Sequence, residues 1–247
     1  MKALVRRMLQ RTPLEPVTHR MWHRILGLPP PSAENQRSAR AMKRVLTKDS
    51  NCADIGASYG ELLDHMQRLA PRGRHFAFEA IPASAAHLRA KFPRVTVFEL
   101  AVSDAEGTSE FHHVVSNPGY SGLRRRSYPR DDFEVQVVRV RTAPLDALLP
   151  PDVKLDFIKI DVEGAELQVL RGAVHTIRTH RPCILFEHGA GAAEHYGTTP
   201  DMIHDLLVGE CDLRIWTLRG FLENAAPLSR AAFAAEFGGP NLNFIAR

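Results

Sequence analysis

The sequence predicts an α/β fold: a mainly parallel seven-stranded sheet with helices on both faces. Three observations carry this. From about residue 50, short apolar runs alternate with segments of helical 3–4 spacing. Seven such runs can be counted before the end of the chain. The chain is 247 residues long and 44% hydrophobic, enough for one large domain with a filled core. Repeated strand–helix units favour parallel pairing, because each crossover returns the chain to the same edge.

Residues 1–48 read as an N-terminal helical extension and residues 49–247 as the main domain. Leu4, Val5, Met8 and Leu9 make an apolar stripe between Lys2, Arg6, Arg7 and Arg11. Such a stripe suits a helix lying on the domain, or one meeting a membrane surface or a partner. The breaker "LPPPSAENQ" offers Ser32 as N-cap for a helix to about Leu46. "NCADIGA" is then a strand, "YGELLDHMQRLA" a helix and "HFAFEA" a strand. "PASAAHLRAKF" is a helix opened by Pro82. "VTVFELAV" and "LDFIKIDV" are strands. "EGAELQVLRGAVHTIRTH" is a helix, with Leu167, Leu170, Val174 and Ile177 on one side. "CILFEH" is a strand, and "TPDMIHDLLVG" is a helix capped by Thr199 with Pro200 at its first position. "LRIWTL" and "LNFIAR" are the closing strands. Residues 104–142 interrupt the alternation with a strand, a Gly/Ser/Arg loop and a second strand. An insertion at that edge of a sheet suits a lid or a recognition element.

Bulk properties exclude some classes. Net charge is +4 and aromatics are 7%, with the basic residues gathered in "VRRMLQR" and "LRRRSYPR". That does not make a nucleic-acid surface. Cys52, Cys183 and Cys211 form no C-x-x-C and lie in apolar runs, as expected of free thiols in a reducing cytoplasm. No apolar run reaches the roughly 18 residues of a membrane span, and the N-terminus lacks the features of a signal peptide.

In open α/β sheets the ligand sits outside the carboxyl ends of the strands. The first strand ends "ADIGASYG", a D-x-G-x-x-x-G loop with Asp54, Gly56 and Gly60. A dinucleotide needs closer glycines, so that its pyrophosphate can approach the helix N-terminus. Ala57 and Ser58 stand where that spacing wants a glycine, which argues against NAD. The looser loop suits a ligand without phosphates, such as S-adenosyl-L-methionine, whose amino-acid and ribose parts can meet Gly56, Ala57, Ser58, Tyr59 and Gly60. Asp54 can hold the ligand's ammonium or orient the loop. Glu79, followed by Ala80, ends the second strand, where a carboxylate would accept hydrogen bonds from both ribose hydroxyls. Ala101 and Val102 end the third, beside the expected adenine.

Together, "DIGASYGELL", "AVSDAEGTSEF", "DFIKIDVEGAELQVLRGA" and "ILFEH" resemble the FkbM family of S-adenosylmethionine-dependent methyltransferases. The resemblance covers roughly residues 50–190 and the closing "NFIAR", and the K-I-D-V-E-G-A-E segment is its most specific part. It implies a class I methyltransferase Rossmann-like fold acting on a hydroxyl oxygen of a sugar or natural product. The strand "DSNCADIG" is more polar than the family's usual run. Residues 116–135 match loosely, so the acceptor does not carry over.

On the strand "FIKIDV", period-2 alternation puts Lys159 and Asp161 on one face and Ile158 and Ile160 on the other. Asp161 then ends beside the expected sulfonium. Glu163 and Gly164 are expected to start the helix, and Glu187 and His188 to face the same cleft. His188 is the first choice of general base, since its unperturbed pKa is near neutral. Asp161 is the second. Lys159 can pair with Asp161 or Glu187, or stabilise a developing alkoxide. A rival reading places Mg²⁺ on Asp161, Glu163, Glu187 and His188. No ligand spacing supports it. A purely structural reading makes Lys159 and Glu187 a buried ion pair and leaves Glu163 and Glu166 on the helix surface, which for Glu166 is the favoured reading. His112 and His113 are adjacent and point to opposite strand faces. Tyr120 and Arg124 to Arg126 can read a hydroxylated or anionic acceptor, or belong to a solvated loop. The expected partner is a small-molecule or glycan acceptor, with peripheral membrane contact through the basic N-terminus left open, as is the oligomeric state. Methylation of nucleic acid or protein, and a non-catalytic module binding through residues 1–30, are the alternatives.

Overall fold

The computed structural model describes residues 33–126, 133–239 and 242–247. The stripe around Leu4 and the cap Ser32 lie outside the described residues, as does part of the arginine-rich loop. Residues 37–247 form one compact unit. Among the described residues no helix is long and apolar enough to cross a membrane.

The strands of the main sheet are β1 (Cys52–Ile55), β2 (His75–Glu79), β3 (Thr96–Glu99), β7 (Phe157–Ile160), β8 (Cys183–Glu187), β9 (Ile215–Thr217) and β10 (Asn243–Ala246). They lie in the order β3-β2-β1-β7-β8-β10-β9, and only β10 runs antiparallel to its neighbours. β1, β2 and β7 are buried at every residue. Parallel strands covered on both faces are buried throughout, and here the buried residues include Asp54, Glu79 and Lys159.

Alternate strand residues feed two separate cores. Ala53, Ile55, Ile158, Ile160, Ile184 and Phe186 point into one. It is closed by α5 (Glu166–Arg171), α6 (Val174–His180), α7 (Pro200–His204) and α9 (Arg230–Glu236). Cys52, Ala77, Phe157, Leu185 and Ile245 point into the other. That one is closed by α1 (Ala33–Val45), α2 (Glu61–Leu69), α3 (Pro82–Lys91) and α8 (Leu218–Leu222). Both faces are therefore covered. Each fully buried Leu, Ile or Phe contributes about 1.5–3 kcal/mol.

Two expected elements are divided. "VTVFELAV" breaks at Leu100: β3 stays in the main sheet, and β4 (Ala101–Val102) joins a second sheet. In that sheet β5 (Gly107–Val114) and β6 (Val135–Ala143) form an antiparallel pair, in the order β4-β6-β5. The short helix α4 (Leu145–Leu148) follows. The long helix after β7 splits into α5 and α6 at Gly172, whose backbone lies so close to the Ser103 carbonyl that a Cβ would collide with it. Helical spacing continues through the break because both halves bury the same side. Farther on, α7 is capped by the Thr199 hydroxyl, which accepts from the Met202 amide, and runs into a π-helical turn, Asp205–Glu210.

Candidate active site

Strand order reverses between β1 and β7, so a crevice opens at their carboxyl ends. Register places the side chains there in rows. Ile55 lies beside Phe78 and Ile160, and Ile160 beside Phe186. One step farther along, Glu79, Gly56, Asp161 and Glu187 occupy one level, with Asn243 next on β10. One step back lie Asp54 and Lys159. The crevice is thus floored by a buried ion pair and edged by carboxylates.

Lys159 holds the floor. Its Nζ donates to the Gly56 carbonyl at 2.6 Å, and lies 3.3 Å from Asp54 Oδ1 and 3.5 Å from Asp161 Oδ2. Its side chain is 8% exposed. Burial opposes the charge, but Asp54 and Asp161 outweigh it, and Lys159 titrates above the ordinary lysine range. The Gly56 carbonyl is its hydrogen-bond acceptor, and the two carboxylates are its ion-pair partners. Of its two expected partners, Asp161 is beside it and Glu187 is not. Asp54 is buried beside the Lys159 ammonium.

The loop is bound on both sides. The Gly56 and Ala57 amides both donate to the Phe78 carbonyl, at 3.0 and 3.2 Å. Gly56 has φ +75°, and a Cβ there would strike the Asp161 carbonyl. Only glycine fits. Glu79 Oε2 accepts from the Ser58 amide and Oε1 from the Ile81 amide, each at 2.8 Å. Burial raises the Glu79 carboxyl, and the Ile81 and Ser58 amides pull it back. Tyr59 stands 52% exposed over the entrance, edge-on to His87 at 5.7 Å. Gly60 begins α2 in the left-handed region. Ala80 and Ile81 meet Phe111 and Val140 of the second sheet, with Ala101 against them. Val102 turns into the main core instead.

Four carboxyls gather on the other side. Glu187 lies next to Asp161 by strand register and feels the charges of Asp161, Glu163 and Glu166. Burial, then those neighbours, pushes Glu187 up to about 9. Glu163 was expected to open the helix, but it sits in a left-handed turn at φ 57° and pairs with Arg126. Burial and Asp161 push it up to about 8. Glu166 was expected at the surface and is 2% exposed. Its Oε1 accepts from the Val162 and Gly164 amides at 3.2 and 3.1 Å, and burial pushes it up to about 7. A carboxylate at the first helical position of α5, behind a Gly-Ala turn, is the local signal for that role.

His188 is not brought to this cluster. Alternation along β8 sends Glu187 to one face and His188 to the other. Its ring is 2% exposed and packs on Phe233 and Phe237, with centroids 5.8 and 5.1 Å away. Burial pulls it down to about 4. His188, the first choice of general base, thus packs among aromatic rings, and the expectation that it and Glu187 face one cleft is corrected. Among the described residues no three His, Cys, Asp or Glu side chains are arranged to hold a metal ion.

The loop after β5 closes over Glu163. Arg126 pairs with Glu163 and lies over the Tyr120 ring, 4.8 Å from its centroid. The Arg124 amide donates to the Tyr196 hydroxyl at 2.9 Å. Tyr196 was not singled out in the sequence, since nothing local ties it to residue 124. Arg126→Met is expected to speed amide exchange across residues 117–126 about tenfold, as loss of one charged hydrogen bond would. Hydrogen–deuterium exchange reads this directly, and unchanged rates would mean the pair does not latch the loop.

A mainly parallel seven-stranded sheet with a glycine loop after β1 and an acidic end to β2 is the fold of class I methyltransferases. The profile of the methyltransferase FkbM domain matches residues 54–215, and the chain belongs to that family. The chain spans less than two thirds of the length of either relative described below. It is 31% identical over 145 residues to the 2-O-methyltransferase NoeI of Sinorhizobium fredii, a match covering 52% of this chain and 59% of that protein. The crystal structure of methyltransferase FkbM from Methylobacillus flagellatus superposes with a TM-score of 0.50 at 17% identity, covering 82% of this chain and 44% of that one.

Proposed function

We propose that the protein transfers a methyl group from S-adenosyl-L-methionine to a hydroxyl of a sugar, glycan or natural-product acceptor. The observation that carries this is the row Glu79–Gly56–Asp161 at the strand ends. Glu79 presents two carboxylate oxygens held side by side by the Ser58 and Ile81 amides, which suits a vicinal diol such as a ribose. Asp161 keeps 41% of its side chain exposed at the other end of the row, a carboxylate placed to face a cation. The residues present therefore fit the donor. NoeI, by its name, methylates an oxygen, which supports the same chemistry here.

When bound, S-adenosyl-L-methionine supplies a methyl carbon already activated by sulfonium. The chain must then align an acceptor and take up its proton. Asp161 is the base in this reading, because it is the exposed carboxylate of the row. Lys159 keeps Asp161 and the Gly56 loop in fixed relation. Arg126 is already paired with Glu163, which favours an uncharged hydroxylated acceptor over an anionic one.

Calorimetric titration with S-adenosylhomocysteine, and with NAD⁺ in parallel, tests the donor class. Binding of the first alone is expected, and binding of NAD⁺ alone would overturn the reading. Asp161→Asn should lower methyl transfer to simple glycosides by about 10²-fold or more, the usual share of a general base. Its affinity for S-adenosylhomocysteine should stay within about fivefold, since that ligand carries no sulfonium. Full transfer by the variant would remove Asp161 from the role.

A further inference from the structure

We propose that Glu187 is the proton-sharing partner of Asp161, a positioning residue that donates a hydrogen bond to the base and holds it toward the acceptor. This rests on the methyl-transfer reading above.

The geometry comes from register. Ile160 on β7 lies beside Phe186 on β8. Asp161, just past the end of β7, and Glu187, the last residue of β8, each follow that pair, and continued strand spacing puts them on one face about 4.8 Å apart at the backbone. On that register the two carboxyls are neighbours, and the Asp161 charge helps to raise Glu187. Two carboxylates so close do not both ionise at neutral pH, and the pair keeps one proton. The surroundings decide which carboxyl keeps it. Glu163, from the turn after β7, and Glu166, from α5, both face Glu187 with like charge. Arg126, from the loop after β5, is turned to Glu163. Lys159, from β7, reaches Asp161. Asn243, beside Glu187 on β10, adds no charge. Lys159 is the cation beside Asp161, while burial and the acids favour a protonated Glu187.

The chemistry then balances. The acceptor oxygen bonds the methyl carbon as the carbon–sulfur pair leaves with sulfur. The hydroxyl proton moves to Asp161, and Glu187 keeps the proton it already holds. The carboxyl pair passes from one negative charge to none as the donor's positive charge disappears.

The test compares affinity for S-adenosyl-L-methionine, which is cationic at sulfur, with that for S-adenosylhomocysteine, which is not, from pH 6 to 10. Below about pH 8 the wild-type ratio should run parallel to that of Glu187→Gln, because Glu163 and Glu166 titrate there in both proteins. It should then rise several-fold to about tenfold in favour of the sulfonium as Glu187 ionises. Glu187→Gln should show no such step, because the amide stays neutral. The α-amino group titrates in both ligands, and the variant corrects for any remainder. Proton release on binding at pH 9, measured in two buffers, gives the same answer from the wild type alone if the variant folds poorly. A step that persists in Glu187→Gln, or a wild-type ratio that stays parallel to the variant's without proton release, overturns the proposal. Failure of the wild type to bind either ligand would instead overturn the methyl-donor reading, and the proposal with it.

Discussion

Replacing Lys159 with methionine is expected to lower the free energy of unfolding by about 3–5 kcal/mol, the cost of stripping one partner from a buried ion pair. Asp54 is 1% exposed and Lys159 is its cation. Methionine fills similar volume, so the loss reports charge rather than packing. Without Lys159 the Asp54 carboxyl must take a proton or remain as a buried anion. Its folded pKa then lies above its unfolded value of about 3.9. A group raised in the folded state binds more protons there than when unfolded. The variant's stability therefore recovers as pH falls through that folded pKa toward the unfolded one. Urea denaturation at pH 7.5 and pH 5 should show the deficit narrowing at the lower pH. A deficit below about 1 kcal/mol, or one independent of pH, would mean that the pair does not hold the floor of the site.

The second large effect is expected at Glu79. Glu79→Ala removes the acceptor for the Ser58 and Ile81 amides and, in the proposed reading, the acceptor for the donor's two ribose hydroxyls. Hydrogen bonds to a charged group are worth about 1.5–3 kcal/mol each. Affinity for S-adenosylhomocysteine should fall by about 10²-fold or more by calorimetry. Stability should fall by only about 1–3 kcal/mol, because water can reach the exposed Ser58 side of the loop. Glu79→Gln keeps one carbonyl acceptor and should fall between. A folded Glu79→Ala protein that binds within threefold of wild type would show that Glu79 braces the loop without touching the ligand.

The two predictions differ in how far the sequence reached them. Glu79 was legible: it ends the second strand, one strand–helix repeat after Asp54, and its place follows from local periodicity. Lys159 was half legible. Alternation put it on the face of Asp161, but its strongest contact is the Gly56 carbonyl, 103 residues upstream. Pairing of β1 with β7 made that contact, and no window of sequence contains both strands. His188 shows the opposite failure. A residue type suited to catalysis at a strand end suggested a base, yet the aromatic rings of Phe233 and Phe237 claim its face of the sheet. Glu166 likewise looked like a surface charge until the turn after β7 folded two amides onto it.

The sequence by itself determined the βα alternation, the glycine loop and the acidic strand ends, because each is written within a few residues by side-chain period and turn chemistry. The tertiary structure alone decided which carboxyls became neighbours. Asp161 and Glu187 belong to different strands, joined by two helices, and meet only through the register of β7 on β8. Their protonation depends on that adjacency and on burial, and both exist only once the sheet is assembled.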